Sequence, residues 1–344
     1  MIGCIDASES MYDVITIGAA TRDVFLVSDK FIALKSRKFG TGAGECVALG
    51  SKIDIDELVL TTGGGATNAA ATFAHLGFRT ATICRIGDDS PGKDVVEDLT
   101  AQGVSTHLVR MMRGGETAYS TLLTMKDGER TALVHRGTSS SFTQADIPVS
   151  IFEQTRWIYL TSLGGNLPLV RKIATAAQKA NVKIAWNPGG AELKGGFASI
   201  ETLLPMISVL IMNREEAMLL TKKSGLKAGS GSAGKDLTKI FELLHTDGAV
   251  HLVTDGTNGS TVYRDGWMAH AGTSGVNGIS RTGAGDAFGS GFVAGLIKTE
   301  DLKEALRVGT LNAESVIQQF GAKKGILKSW PGQLKKQRIK ISVL

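Results

Sequence analysis

Short runs of β-branched and apolar residues alternate along this chain with longer stretches whose apolar positions recur every three or four residues. Residues 13–18 (Asp-Val-Ile-Thr-Ile-Gly) read as a buried strand entering a glycine turn. Similar runs follow at 80–86, 157–160, 182–186, 208–212 and 249–254. Helical periodicity covers 66–76, 92–102, 167–180, 214–220, 235–244 and 287–297. A last helical stretch, 302–320, places Leu302, Ala305, Leu306, Leu311, Ala313, Val316 and Ile317 on one apolar face. This alternation predicts βαβ units and hence an α/β fold, a mostly parallel sheet flanked by helices.

Two regions break the alternation. Residues 119–134 read as two strands around Lys126-Asp127-Gly128-Glu129, with Asp-Gly as the hairpin turn. Residues 40–55 form a Gly-rich connection without a period. The hairpin, residues 20–27 and residues 58–61 predict a small accessory sheet beside the α/β core, a natural lid over a site. The chain therefore reads as one domain, 1–344. Its lid comes from about 20–28, 58–62 and 105–137, and a basic tail occupies 328–344. No internal repeat is present.

Composition narrows the class. A hydrophobic content of 42% with 21% charged residues fits a globular protein of 344 residues. Three scattered cysteines (Cys4, Cys46, Cys84) without a CxxC pair indicate neither a disulfide framework nor a zinc site. No basic n-region opens the chain and no apolar run approaches a membrane span, so a cytoplasmic protein is expected. The net charge of +5 is concentrated in seven Lys/Arg at 323–340. Without them the chain is near neutral, so a solvated tail is expected and no nucleic-acid partner.

Candidate chemistry lies in Thr282-Gly283-Ala284-Gly285-Asp286-Ala287-Phe288. Small residues at a loop-to-helix junction leave backbone N–H groups bare, and a helix N-terminus favours an anion. An acid at such a spot can take a proton from an attacking hydroxyl, which together make the apparatus of phosphoryl transfer to an alcohol. A turn with Asp286 as its cap is the competing reading. Gly289, Gly291 and Gly295 inside the helix predict tight packing against another backbone. Gly63-Gly64-Gly65-Ala66-Thr67-Asn68 opens another helix and suits a hydroxyl-rich ligand, or a simple cap. Asn213 and Glu216 follow the 208–212 strand one helical turn apart, where they suit a hydrated metal. Thr254, Gly256 and Gly259 follow the next strand. Gly229–Asp236 matches most of a P-loop pattern, but Asp236 replaces the Ser/Thr and no strand precedes it, so it reads as a flexible loop.

Together these motifs resemble the ribokinase-like (PfkB) family of carbohydrate kinases over about 12–327. Arg85-Ile86-Gly87-Asp88-Asp89, Gln102-Gly103-Val104 and Phe320-Gly321-Ala322 are supporting matches. The resemblance implies a three-layer α/β/α core with a β-sheet lid and ATP-dependent, magnesium-requiring phosphorylation of a small sugar's primary hydroxyl. Its nearest rivals are a nucleoside kinase and a non-catalytic sugar- or nucleotide-binding regulator. By that resemblance Asp286 is the general base, and the Gly283, Ala284 and Gly285 amides are the anion hole. Asp23, Gly63, Gly64 and Asn68 bind the acceptor. Asn213 and Glu216 organise magnesium through water. Thr254, Gly256 and Gly259 border the nucleotide, and Asn312 lies near the adenine. Ser280 and Arg281 stand where the family usually carries an acid and a Thr, which puts activation by a monovalent cation in doubt. Arg281 either reaches the phosphates or faces solvent. An exposed edge of the lid sheet invites a homodimer.

Overall fold

The apolar runs of the sequence become the centre of one large sheet. The computed structural model describes residues 11–126, 128–222 and 233–344. Its strands are β1 (Tyr12–Ile17), β2 (Thr21–Val27), β3 (Ile32–Lys35), β4 (Ala43–Cys46), β5 (Glu57–Gly63), β6 (Thr80–Ile83), β7 (Arg85–Gly87), β8 (Arg110–Met112), β9 (Ala118–Thr124) and β10 (Arg130–His135). They continue with β11 (Thr155–Leu160), β12 (Lys183–Trp186), β13 (Val209–Asn213), β14 (Val250–Thr254), β15 (Ser260–Arg264), β16 (Trp267–Ala271) and β17 (Ile341–Val343). The helices are α1 (Gly65–His75), α2 (Ser90–Ala101), α3 (Leu167–Lys179), α4 (Gly190–Leu193), α5 (Phe197–Ile200), α6 (Arg214–Lys222), α7 (Ala233–Leu244), α8 (Ala284–Thr299), α9 (Leu302–Val316) and α10 (Gln333–Lys336).

Nine strands run in the order β17-β16-β15-β14-β13-β12-β11-β1-β6. Pairing is parallel from β6 to β14 and antiparallel from β14 to β17. Successive residues of a central strand feed opposite faces. Ile158 and Leu160 of β11 join the core under α3, α6 and α7, and Trp157 and Tyr159 join the core under α1, α8 and α9. This is the three-layer α/β fold expected from the period of the apolar runs.

A second sheet, β10-β9-β2-β5, stands beside the carboxyl ends of the central strands. The pairs Asp23↔Ser120 and Asp23↔Thr61 place those three residues on one of its faces. Leu58, Leu60, Leu133 and Val134 on its two outer strands are exposed. The 40–55 region contributes β4, which pairs with β3 in an exposed hairpin.

Several expectations need correcting. The run 80–86 is two strands: β6 joins the large sheet, and β7 turns away to pair with β8. Arg85 stands at the change of direction, its buried guanidinium reaching Asp146 at 3.0 Å. The last long helix stops at Val316 because the Ile317 carbonyl accepts from the Ile279 and Ser280 amides instead of continuing the ladder. Residues 328–344 are basic but folded. Strand β17 pairs with β16, Ile339 is buried, and Lys336 reaches Glu304 at 2.5 Å. Within Gly229–Asp236, residues 229–232 lie outside the described residues, and 233–236 open α7 rather than a loop. Asp127 of the hairpin turn and Cys4 also lie outside them. No helix among the described residues is long and apolar enough to cross a membrane.

Candidate active site

The site forms where two helix starts face each other. Gly64 caps α1 with φ +98°, and Gly283 caps α8 with φ +80°. At Gly283 only glycine fits. The left-handed φ penalises a side chain, and a Cβ would lie 2.3 Å from Ala322 Cβ. Across the gap, Asn68 on the first turn of α1 donates to Asp286 Oδ2 on the first turn of α8, at 2.8 Å. These residues are 218 positions apart in the chain. Burial raises the Asp286 carboxyl above its ordinary value; the Asn68 hydrogen bond and Lys323 oppose this, and nearby Asp23 adds to it.

Asp23, 7% exposed, projects from β2 and accepts from Thr21 Oγ1 at 2.8 Å. Burial raises its carboxyl too, against hydrogen bonds from Thr21 and Ser120 and the charges of Lys323 and Arg22. A Cβ on Gly63 would sit 2.0 Å from Asp23 Oδ2, so the bare glycine makes room for this acid. Asp23, Gly63, Gly64, Asn68 and Asp286 therefore share one end of the molecule.

The turn before Asp286 is less open than the sequence implied. Ala284 N–H is directed to the Arg281 carbonyl at 3.3 Å, a long bond. The space beside Gly285 is empty to 4 Å. Ser280 is 3% exposed, and its hydroxyl accepts from Thr282 N–H at 3.3 Å. Arg281 is exposed.

Asn213 and Glu216 cap each other at the start of α6. Glu216 N–H donates to Asn213 Oδ1, and Asn213 N–H donates to Glu216 Oε2, both at 2.8 Å. Burial, then Asp286, Glu215 and Glu192, raises the Glu216 carboxyl, and the Asn213 amide lowers it. Parallel pairing sets Asn213 beside Thr254. Arg214 binds Asp255 at 3.0 Å and ties the loop holding Gly256 and Gly259 to α6.

Asn312 is a correction. It is fully buried and used up internally: its amide donates to Ala287 O (2.8 Å) and Thr72 Oγ1 (3.2 Å), and its oxygen accepts from Leu327 N–H (2.9 Å). Nothing is left for an adenine. Asn312 instead staples α1, α8 and the segment after α9.

Two residues of the site carry no signal in the sequence. Glu192, fully buried on α4, accepts from the Leu163, Gly165 and Gly189 amides and the Ser162 hydroxyl, and so shapes the floor loops. Lys323, 2% exposed, belongs by its sequence to the basic run. Its ammonium donates to Thr62 Oγ1 at 2.6 Å and Asp98 Oδ2 at 2.9 Å.

Residues 11–329 match a family profile described as pfkB family carbohydrate kinase. The chain belongs to this family. The pfkB-family chain is 27% identical to a ribokinase of Haemophilus influenzae, over 77% of this chain and 83% of that protein. It is 25% identical to an uncharacterized sugar kinase of Archaeoglobus fulgidus, over 74% and 98%. The crystal structure of adenosine kinase from Sinorhizobium meliloti superposes with a TM-score of 0.72 at 23% identity, over 91% of this chain and 96% of that one. This pfkB-family protein is accordingly a sugar or nucleoside kinase with the fold of its relatives.

Proposed function

We propose that this kinase transfers the γ-phosphoryl group of ATP to the primary hydroxyl of a small sugar, with Asp286 as general base. One observation carries the reading: Asn68, from the helix start suited to a hydroxyl-bearing ligand, is hydrogen-bonded to Asp286 at the other helix start. An acceptor hydroxyl bound beside Asn68 meets the carboxylate. Asp286 takes its proton, the oxygen forms the new bond to phosphorus, and ADP leaves. The amides of the Gly283–Gly285 turn receive the charge of the moving group, helped by the start of α8. Asp23, Gly63 and Gly64 hold the sugar hydroxyls, and the small sheet covers them as a lid that excludes water. Thr254, Gly256 and Gly259 border the nucleotide.

The donors present fit magnesium. Glu216 is a half-buried carboxylate among Asp286, Glu215 and Glu192, an excess of negative charge that a divalent cation relieves. Glu216 and Asn213 would hold its water shell, and the ion would neutralise charge on the phosphates.

The aromatic residues of the small sheet favour a sugar over a nucleoside. Phe25, on the Asp23 face, is buried against Phe320 with ring centroids 5.7 Å apart and is not free to stack on a base, and the exposed Tyr119 pairs with Arg22 and so lies on the opposite face from Asp23. An acceptor panel decides: Mg-ATP with pentoses, hexoses, sugar acids and nucleosides, following ADP release. A pentose or hexose gives the highest kcat/KM. A nucleoside in that place refutes the sugar, and no acceptor-dependent ADP release refutes catalysis itself, leaving a binding regulator.

A further inference from the structure

Behind the acceptor site lies a buried cation that the chemistry above does not use. The chain after α9 passes between three parts of the site. Gly321, at φ +89°, lies against Thr61 of β5, where a Cβ would be 3.1 Å from the Thr61 side chain. Ala322 fills the space over Gly283. Lys323 then runs inward, its side chain 3% exposed, to Thr62 of β5 and Asp98 of α2. Thr62 in turn donates to Asp98 at 2.5 Å, closing a three-membered network. The next residue on β5 is Gly63, against which the Asp23 carboxylate rests.

We propose that Lys323 is a positioning residue for phosphoryl transfer, the fixed cation that holds the Asp23 and Asp286 carboxylates together around the acceptor. This rests on the reading of Asp286 as base. Two acids sharing a site, one of them buried and the other partly so, repel each other, and one takes up a proton unless a positive charge stands near both. The groups acting on Asp286 are Asn68 from α1, Asp23 from β2 and Lys323, while Asp286 itself bears on Glu216 of α6 and Tyr159 of β11. Lys323 is a cation that bears on both Asp23 and Asp286, whereas the Arg22 guanidinium is turned to Asp94 at 3.3 Å. Cys84, also beside Lys323, is pushed up to about 12 by burial and stays a neutral thiol, so it supplies no competing charge. Burial lowers the Lys323 ammonium from its ordinary value, and Asp98, then Asp23, oppose this, so the hydrogen-bonded pairing with Asp98 is what keeps the charge in place.

The test compares Lys323→Met with Thr62→Val, which removes the hydroxyl bridge and keeps the charge. Activity is measured from pH 5.5 to 9 with the best acceptor, and the Asp carboxyl carbons are titrated by NMR in the absence of substrate. In Lys323→Met the acid limb of kcat/KM and the Asp286 titration both move to higher pH. The loss of kcat/KM is then greatest at the acid end of the range and shrinks as pH rises, with acceptor KM raised and ATP affinity kept. Thr62→Val leaves both midpoints in place. Unchanged midpoints in Lys323→Met overturn the proposal, whatever its overall activity. If Lys323→Met does not fold, Lys323→Gln, which removes the charge but keeps a donor for Asp98, is held to the same outcome. Full activity of Asp286→Asn is a different failure: it overturns the base, not the placement of the cation.

Discussion

Asp286 is oriented by a neutral donor, Asn68, at 2.8 Å rather than by an ion pair. That suits a base, since a direct cation would lower its affinity for the proton it must take. Asp286→Asn is expected to lower kcat by at least ~10²-fold, with ATP binding by calorimetry unchanged. Retained turnover removes Asp286 as base. The sign of the pH dependence follows from burial, which raises this carboxyl: kcat/KM falls as pH drops through a midpoint above the ordinary aspartate value. Gly63→Ala sets a methyl against Asp23, so acceptor KM rises and ATP KM does not; equal changes in both place Asp23 away from the acceptor. Position 280 holds a buried serine rather than an acid. Rates in sodium, potassium and cation-free buffer are therefore expected to be similar, and a strong potassium requirement contradicts this.

At the scale of elements, α8 shows why its glycines are there. A Cβ on Gly295 would lie 2.7 Å from Ala305 Cα, and one on Gly291 would lie 3.1 Å from Gly309 Cα, so α8 and α9 touch backbone to backbone. Gly295→Ala gains about 1 kcal/mol of helix propensity but must separate the helices, at a cost of about 1–3 kcal/mol. A net fall in denaturation midpoint is expected, and a rise shows that the pair can separate freely. This seam was readable in the sequence because glycine weakens a helix and is kept inside an apolar period chiefly where another backbone comes close. The parallel strands of the large sheet were readable because their runs are apolar on both faces. Strands β15 and β16 were not: Ser260, Thr261 and His270 break up their apolar positions, and only antiparallel pairing, β15 onto β14 and β16 onto β15, gives them a place. Lys323 was hidden because a lysine in a basic run carries no local sign of burial. Asn312 misled because an exposed amide and a stapling amide look alike in sequence. The tail was hidden likewise, and Ile339→Ala is expected to cost about 2–4 kcal/mol in denaturant titration, against almost nothing for a solvated tail.

For the whole molecule, the outer strands of the small sheet present Leu58, Leu60, Leu133 and Val134 to solvent. Such edges and apolar positions call for a cover, and a second copy of the chain is the economical one. Light scattering is expected to give a dimer that Leu60→Lys/Leu133→Lys makes monomeric; a monomeric wild type refutes this. The Asn68–Asp286 bond has a consequence for folding as well. It joins α1, near the start of the described chain, to α8, beyond most of the strands. Contacts of such long range form after the local ones, because the loop between them must first lose its freedom. Helix and sheet signals in a refolding experiment should return first and enzymatic turnover later, the delay recording the moment when the starts of α1 and α8 meet.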